Sequence, residues 1–337
     1  MKKKISRYIT VVFKLASLLI LSGWVRTASA QTNAGKQGYS GYLFVYFTGN
    51  DRAEESIHFA TSTDGYRFAA LNNNKAIFSS VAISETGGVR DPHILRGNDG
   101  KTFYMVATDM VSANGWNSNR GMVLLKSEDL IHWSSKAINI QQKYPNQDSL
   151  LRVWAPQTIF DPVQQKYMVY WSMKYGAGPD RIYYAYANAA FTDLTTEPKV
   201  LFSLPDQKSS IDADIIFHDG IYHLFFKTEG NGNGIKQAVS AQLTGVYSLE
   251  DRYLQQTDLP VEGSGVFSLI NGSGFILMYD MYTSGRYQFT FSKELEHFKA
   301  VDQDVSMNFN PRHGTVMPIT EKELQRLLKN WKKLNVN

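Results

Sequence analysis

The chain has 337 residues, 35 Lys and Arg against 31 Asp and Glu, and no cysteine. Six of the basic residues and none of the acids fall in the first 30 positions, so the remainder carries 29 basic against 31 acidic side chains. That near-neutral balance gives no electrostatic case for a nucleic-acid or membrane-surface partner, and the missing cysteines exclude disulfides and a lipid-anchored cysteine.

In chain order, the first element is a targeting segment. Lys2, Lys3, Lys4 and Arg7 precede an apolar stretch, "LASLLILSGWV" (15–25), too short to span a bilayer. "ASA" (28–30) fits a small-x-small cleavage pattern. The expectation is a signal peptide over 1–30, a mature chain from Gln31, a periplasmic or secreted location, no membrane anchor and a monomer.

From there the chain reads as β. "YLFVYF", "TFYMVAT", "MVLLK", "KYMVYWSM", "RIYYAYA", "IYHLFF" and "GFILMYD" are rich in the aromatic and branched residues that suit a pleated, half-buried surface. Turn signals such as "GNDGK", "DPVQQ", "HDG" and "NGSG" separate them. One segment is helical: in "TEKELQRLLKNWKKL" (320–334), Thr320 and Glu323 form a capping box, and Leu324, Leu327, Leu328, Trp331 and Leu334 line one face.

One junction recurs. "DPHIL" from Asp91, "APQTIF" from Ala155, "DADIIF" from Asp212 and "EGSGVF" from Glu262 each run from a small or acidic residue into an apolar strand, a turn and an aromatic strand; "HGTVMPI" from His313 is a looser copy. Units of about 40–60 residues with four strands predict an all-β, five-bladed β-propeller. Four blades span roughly 89–134, 152–197, 210–248 and 262–299. Segments 41–72 and 306–319 together close the fifth, so 31–337 reads as a single domain. A weaker repeat, "STDGYRF", "SEDLIHW" and "SKELEHF", reads as turns that hold blade strands together. If the recurrent strand is innermost in its blade, Asp91, Asp212 and Glu262 converge on the axial funnel. Clustering and burying three carboxylates raises the cost of their charge, so their convergence points to chemistry.

The residues "RDPHI", "VWAPQ", "SIDADII", "VEGSGVF" and "RHGTV", in this order and spacing, resemble glycoside hydrolase family 43, whose members are five-bladed propellers; the resemblance covers essentially the whole mature chain. It implies hydrolysis of O-glycosyl bonds with inversion, removing terminal or side-chain sugars from plant polysaccharide. α-L-arabinofuranose is the expected sugar; β-xylose, galactofuranose and β-1,3-linked galactose are alternatives on the same site. A non-catalytic carbohydrate-binding propeller is a reading of another class, which the presence of all three acids opposes.

By the same resemblance Asp91 is general base, Glu262 general acid, and Asp212 the group that tunes the acid and orients substrate. "SIDADII" offers Asp214 beside Asp212; alternation puts both on one face, so geometry does not separate them and alignment favours Asp212. Glu229 in "KTEG" is a further acid at a different place in its repeat, and Gln157 stands where many relatives carry an acid. Trp154 reads equally as core or as a sugar-stacking ring, and Trp116, in the polar loop 112–121, as a residue gating the cleft. Arg286 is either a surface charge or the arginine that binds the sugar in relatives. His313 reads as a structural axial histidine near which an ion or water could sit. The chemistry requires no cofactor, and no histidine spacing suggests a metal set.

Overall fold

The computed structural model describes residues 38–230 and 233–331. The expected signal segment and the last residues of the expected helix, Leu334 among them, lie outside the described residues. Among the described residues most of the regular secondary structure is strand, arranged in five sheets that are antiparallel apart from one short edge pairing. In blade I the order from the axis outwards is Val89–Arg96, Phe103–Asp109, Gly121–Ser127 and Trp133–Asn139. Blade II holds Leu150–Asp161, Lys166–Tyr175, Arg181–Tyr186 and Lys199–Phe202, and blade III Ser210–His218, Ile221–Thr228, Gly234–Ser240 and Ser248–Glu250. Blade IV holds Glu262–Ser268, Phe275–Met281, Arg286–Ser292 and Lys299–Ala300. Blades I and II run about five residues beyond the limits expected from the repeats, Asn139 against 134 and Phe202 against 197, because their outer strands carry little apolar signal.

Blade V joins the two ends of the described chain. Its innermost strand is Arg312–Thr320, followed by Tyr39–Phe47, His58–Ser62 and Arg67–Ala70, with Ser306–Met307 added in parallel at the outer edge. The helix Glu321–Asn330 follows directly. Its capping box is formed: Glu323 N donates to Thr320 Oγ1, and Thr320 N donates to Glu323 Oε2 at 2.8 Å. Leu324 and Leu327 are buried against blades V and I, and Arg96 of blade I grips Glu323 through both guanidinium nitrogens, at 2.8 and 2.7 Å.

Apolar side chains gather in five clusters, one between each pair of neighbouring blades. This is where each sheet's apolar faces leave water, and burial there holds the ring closed. The expected hairpin turns are seen as well. Asp64 Oδ1 accepts from the N–H groups of Tyr66 and Arg67, and Asp129 Oδ1 from those of Ile131 and His132.

The innermost strand of every blade is a sheet edge, and its free N–H groups need acceptors. The neighbouring blade supplies them from side chains. Ala155 N donates to Thr108 Oγ1 (2.8 Å), Gly263 N to Asp212 Oδ2 (2.9 Å), Val266 N to Asp214 Oδ2 (2.7 Å), Ile215 N to Tyr170 OH (3.0 Å) and Ile94 N to Thr315 Oγ1 (3.0 Å). The polar groups that line the axis therefore also stitch blade to blade.

Candidate active site

Four of the five innermost strands carry the same irregularity. Pairing with the second strand skips between Arg90 and His93, Trp154 and Gln157, Ile211 and Asp214, and Glu262 and Gly265. In each case two residues face one, a β-bulge whose first residue has positive φ: Asp91 (50°), Ala155 (45°), Asp212 (53°) and Gly263 (62°). Aspartate and glycine tolerate that left-handed conformation better than most residues. In blade V the pairing skips His313. Where the bulged residue carries a side chain, the bulge re-aims it towards the axis, which explains why Asp91 stands at the head of an apolar run.

This register corrects one alignment made from sequence. Glu262 is not equivalent to Asp91 and Asp212; it stands one residue earlier, level with Arg90, Trp154, Ile211 and Arg312, while Gly263 takes the bulge. The sequence repeat slipped by one because "EGSGVF" opens with the only acid in reach, and the bulge has no signature beyond a small residue.

The bulges bring Asp91, Asp212 and His313 together, with Glu262 beside them. Asp91 Oδ2 accepts from Thr108 Oγ1 at 2.7 Å, and its Oδ1 lies 3.4 Å from His313 Nδ1. Burial raises the Asp91 carboxyl, but the hydrogen bond and charge of His313, the charge of Arg90 and the Thr108 hydroxyl outweigh it and hold the group below the usual aspartate range. His313 is 3% exposed. Burial opposes its charge, yet Asp91, Asp212 and Glu262 together push it up to about 9, so it is an imidazolium at neutral pH. A Cβ on Gly263 would stand 2.6 Å from the imidazole Cγ, so only glycine fits at that point of blade IV.

Asp212 is pushed up to about 6, first by burial and then by the negative charges of Glu262 and Asp91, with His313 and Lys227 opposing. Its Oδ2 accepts from Gly263 N, and Ser264 Oγ donates to its carbonyl. Asp214 sits past the bulge, deeper along the axis. Its carboxyl takes the Val266 N–H and lines a cavity of about 420 Å³ on the far side of the bulge ring, with His93 and Thr315 nearby. Burial pushes it up to about 7. The bulge thus separates two acids that simple alternation would have left equivalent.

Glu262 is held by two cations. Arg312 Nη2 is 2.6 Å from its Oε1, and Lys227 Nζ is 3.7 Å from its Oε2. Arg312 Nε also binds the fully buried Asp280, which burial pushes up to about 7 against the opposing charge of Arg312. Lys227 bridges to Glu229 at 2.9 Å, so Glu229 belongs to the wall around Glu262 and does not replace it in the strand register.

The remaining expected residues fall as follows. Trp154 stands at the funnel mouth, level with Glu262, with the Arg152 guanidinium 3.7 Å from its ring centre; Asp180 locks that arginine at 2.7 Å through both nitrogens. Trp116 is 51% exposed and meets Trp154 edge to face, 6.2 Å between centres. Gln157 is buried and accepts from Tyr170 OH, which makes it part of the wall. Arg286 is exposed in the third strand of blade IV and is not among the residues bonded to the three acids. Among the described residues, no group of three or more His, Cys, Asp or Glu side chains is arranged to hold a metal ion.

Sequence reasoning missed Arg312, Arg90, Lys227 and Thr108. Arg312 had a signal, lying directly before His313. Arg90 sits likewise beside Asp91, where it stacks on Phe47 (4.4 Å) and pairs with buried Glu55 at 3.1 Å. Lys227 and Thr108 lie on second strands, and only the fold brings them to the axis.

Residues 37–325 match the family model described as "Probable glycosyl hydrolase domain", a group related to glycoside hydrolase family 43. The chain belongs to this family. An α-L-arabinofuranosidase of Bifidobacterium longum subsp. longum is 28% identical over 221 residues, 57% of this chain; the chain spans 20% of that curated relative. Among solved structures, a thermostable family-43 glycoside hydrolase superimposes with a TM-score of 0.56 at 14% identity, covering 81% of this chain and 93% of the other. A family-43 β-1,3-galactosidase gives 0.58 at 11% identity, covering 77% and 56%. A xylan β-1,4-xylosidase of Bacillus halodurans gives 0.55 at 14%, covering 83% and 51%. These structural likenesses bear on the fold. The family-43-related assignment covers all five bladed sheets and every acid described above.

Proposed function

We propose that this family-43-related chain is an inverting glycosidase, with Asp91 as general base, Glu262 as general acid and Asp212 as the group that orients the sugar and modulates the acid. The observation that carries the reading is the division of the axial carboxyls: Asp91 is held ionised by His313, whereas Asp212, which faces it from blade III, is pushed towards its protonated form. Unlike environments for neighbouring acids are what acid–base chemistry requires.

In this mechanism Asp91 takes a proton from water as the water attacks the anomeric carbon. Glu262 gives its proton to the departing glycosidic oxygen, and the C–O bond breaks with inversion. Such pairs stand roughly 6.5–9.5 Å apart to admit the water. Trp154 and Trp116 supply stacking surface at the mouth. Proton transfer between carboxyls and water needs no cofactor. An ion on the axis near His313, which the sequence left open, would have to share that space with a charged imidazole.

The substrate we favour is a terminal or side-chain α-L-arabinofuranose on plant polysaccharide, supported by the arabinofuranosidase relative. β-Xylose, galactofuranose and β-1,3-galactose are the competing sugars. A location outside the cytoplasm follows if residues 1–30 act as a signal. Hydrolysis of a panel of nitrophenyl glycosides tests the sugar: release from the arabinofuranoside supports it, while cleavage of the xyloside or a galactoside alone replaces it and leaves the mechanism standing.

A further inference from the structure

The second strands of the blades present one side chain each to the residue that precedes a bulge. Strand pairing places Thr108 opposite Arg90, Ser172 opposite Trp154, Lys227 opposite Ile211 and Asp280 opposite Glu262. All four point their polar atoms at the bulge ring. Lys227 and, through Arg312, Asp280 serve Glu262. Ser172 Oγ accepts from Asp212 N at 3.3 Å. Thr108 serves Asp91.

The Thr108 hydroxyl has one proton and two lone pairs. Ala155 N, at the bulge of the next blade, donates to Thr108 Oγ1 at 2.8 Å. A backbone amide can only donate, so the hydroxyl is the acceptor there. Its own proton is free to point at Asp91 Oδ2, 2.7 Å away. Thr108 and Ala155 are buried, at 0% and 2% exposed, while the Asp91 side chain keeps 14% exposure. Asp91 therefore receives a hydrogen bond whose direction is set by the backbone of blade II. The carboxylate is thus held at both oxygens, Oδ2 by Thr108 and Oδ1 by His313, with a second lone pair on each left for water.

We propose that Thr108 is the positioning residue of the base: its hydroxyl, oriented by the Ala155 N–H, holds Asp91 Oδ2 and so fixes the orientation of the carboxylate for the attacking water. The inference rests on Asp91 being the base. The other charges facing Asp91 are Arg90 on its own strand, His313 from blade V and Asp212 from blade III. None of them is changed by a substitution at Thr108.

The test compares Thr108→Val, Thr108→Ser and Asp91→Asn on the best nitrophenyl glycoside, with kcat and KM followed across pH and thermal unfolding measured alongside. Valine keeps the shape and removes the donor. We expect kcat to fall about 10- to 100-fold, the scale of one hydrogen bond to a charged group, with KM within about twofold. The acidic limb of the kcat profile moves to higher pH, because an undonated carboxylate holds its proton longer. Thr108→Ser restores both. If the valine variant does not fold, Thr108→Ala, which leaves room for a water to take the Ala155 N–H, is expected to show the same limb shift. An unmoved limb and unchanged kcat in the donor-free variant, with Asp91→Asn inactive, overturn the inference alone. Wild-type activity in Asp91→Asn overturns the base reading, and this inference with it.

Discussion

Arg312 ties Glu262 to Asp280: one guanidinium reaches Glu262 Oε1 at 2.6 Å and, through Nε, a carboxylate that solvent does not touch. The bridge joins adjacent positions of blades IV and V, and it fixes the side chain assigned as the acid from the rear. A planar fork can make both contacts at once; an ammonium cannot. Arg312→Lys is expected to lower kcat about 10- to 100-fold, the scale of one charge-assisted hydrogen bond. Arg312→Met leaves buried Asp280 without its cation, so that the carboxyl must take up a proton or stand as a lone charge, and is expected to cost up to about 3–5 kcal/mol. Asp280→Asn in the same chain should recover most of that loss in a urea titration. If Arg312→Met unfolds at the wild-type midpoint, the bridge carries no stability.

The two acids of "SIDADII" are expected to separate cleanly. Asp212→Asn should lose activity, since Asp212 faces Asp91, Glu262 and His313. Asp214→Asn should keep it, because an amide oxygen can still accept the Val266 N–H. Stability gives the second readout. The Asp214 carboxyl is raised from 3.8 to about 7, so its contribution is full below pH 3.8 and is lost as pH rises through about 7. Asp214→Asn should therefore be more stable than wild type above pH 7, with the gap closing on acidification. Thermal melts between pH 4 and 8 check the sign. Activity lost in Asp214→Asn but kept in Asp212→Asn would show the roles reversed.

His313 offers the pH experiment on the base itself. Its positive charge lowers Asp91, so His313→Gln should move the acidic limb of the rate profile to higher pH. Its own value is raised from 6.5 to about 9, which makes its contribution to stability full below pH 6.5 and lost as pH rises through about 9. The glutamine variant should show a flatter melting curve over that window. An unmoved acidic limb would remove His313 from the electrostatics of the base.

Sequence and structure agree on the ring because the signals for it are local: aromatic strands, turn residues and a junction repeating every 50 to 64 residues. Asp91 and Asp212 were legible because the bulge that aims them recurs with them. Glu262 was singled out for a partly mistaken reason, since its register is one residue from theirs and the bulge belongs to Gly263. What stayed hidden depends on contacts between blades. Asp212 and Asp214 look equivalent in an alternating strand until a bulge lies between them. Thr108 and Lys227 reach the axis from second strands, and nothing in their own neighbourhoods marks them. Arg286 drew notice as the arginine of blade IV, yet the arginine bonded to Glu262 comes from blade V, next to the histidine already singled out.

Glu262→Gln is expected to distinguish the acid from the base by leaving group. A nitrophenolate departs without protonation, whereas a sugar alkoxide does not. Activity of Glu262→Gln should fall at least about 100-fold on an arabino-oligosaccharide and much less on the nitrophenyl arabinoside. Asp91→Asn should fall by a similar factor on both. Equal losses on both substrates in Glu262→Gln would take the proton-donor role away from it.

The measurement that bears most directly on the assignment of Asp91 as a base is the anomeric configuration of the first sugar released, followed by proton NMR before mutarotation. With water activated by Asp91, the product should appear with inverted configuration and equilibrate afterwards. Retained configuration would require a covalent glycosyl intermediate, and with it a nucleophile in place of the base, which would contradict the account.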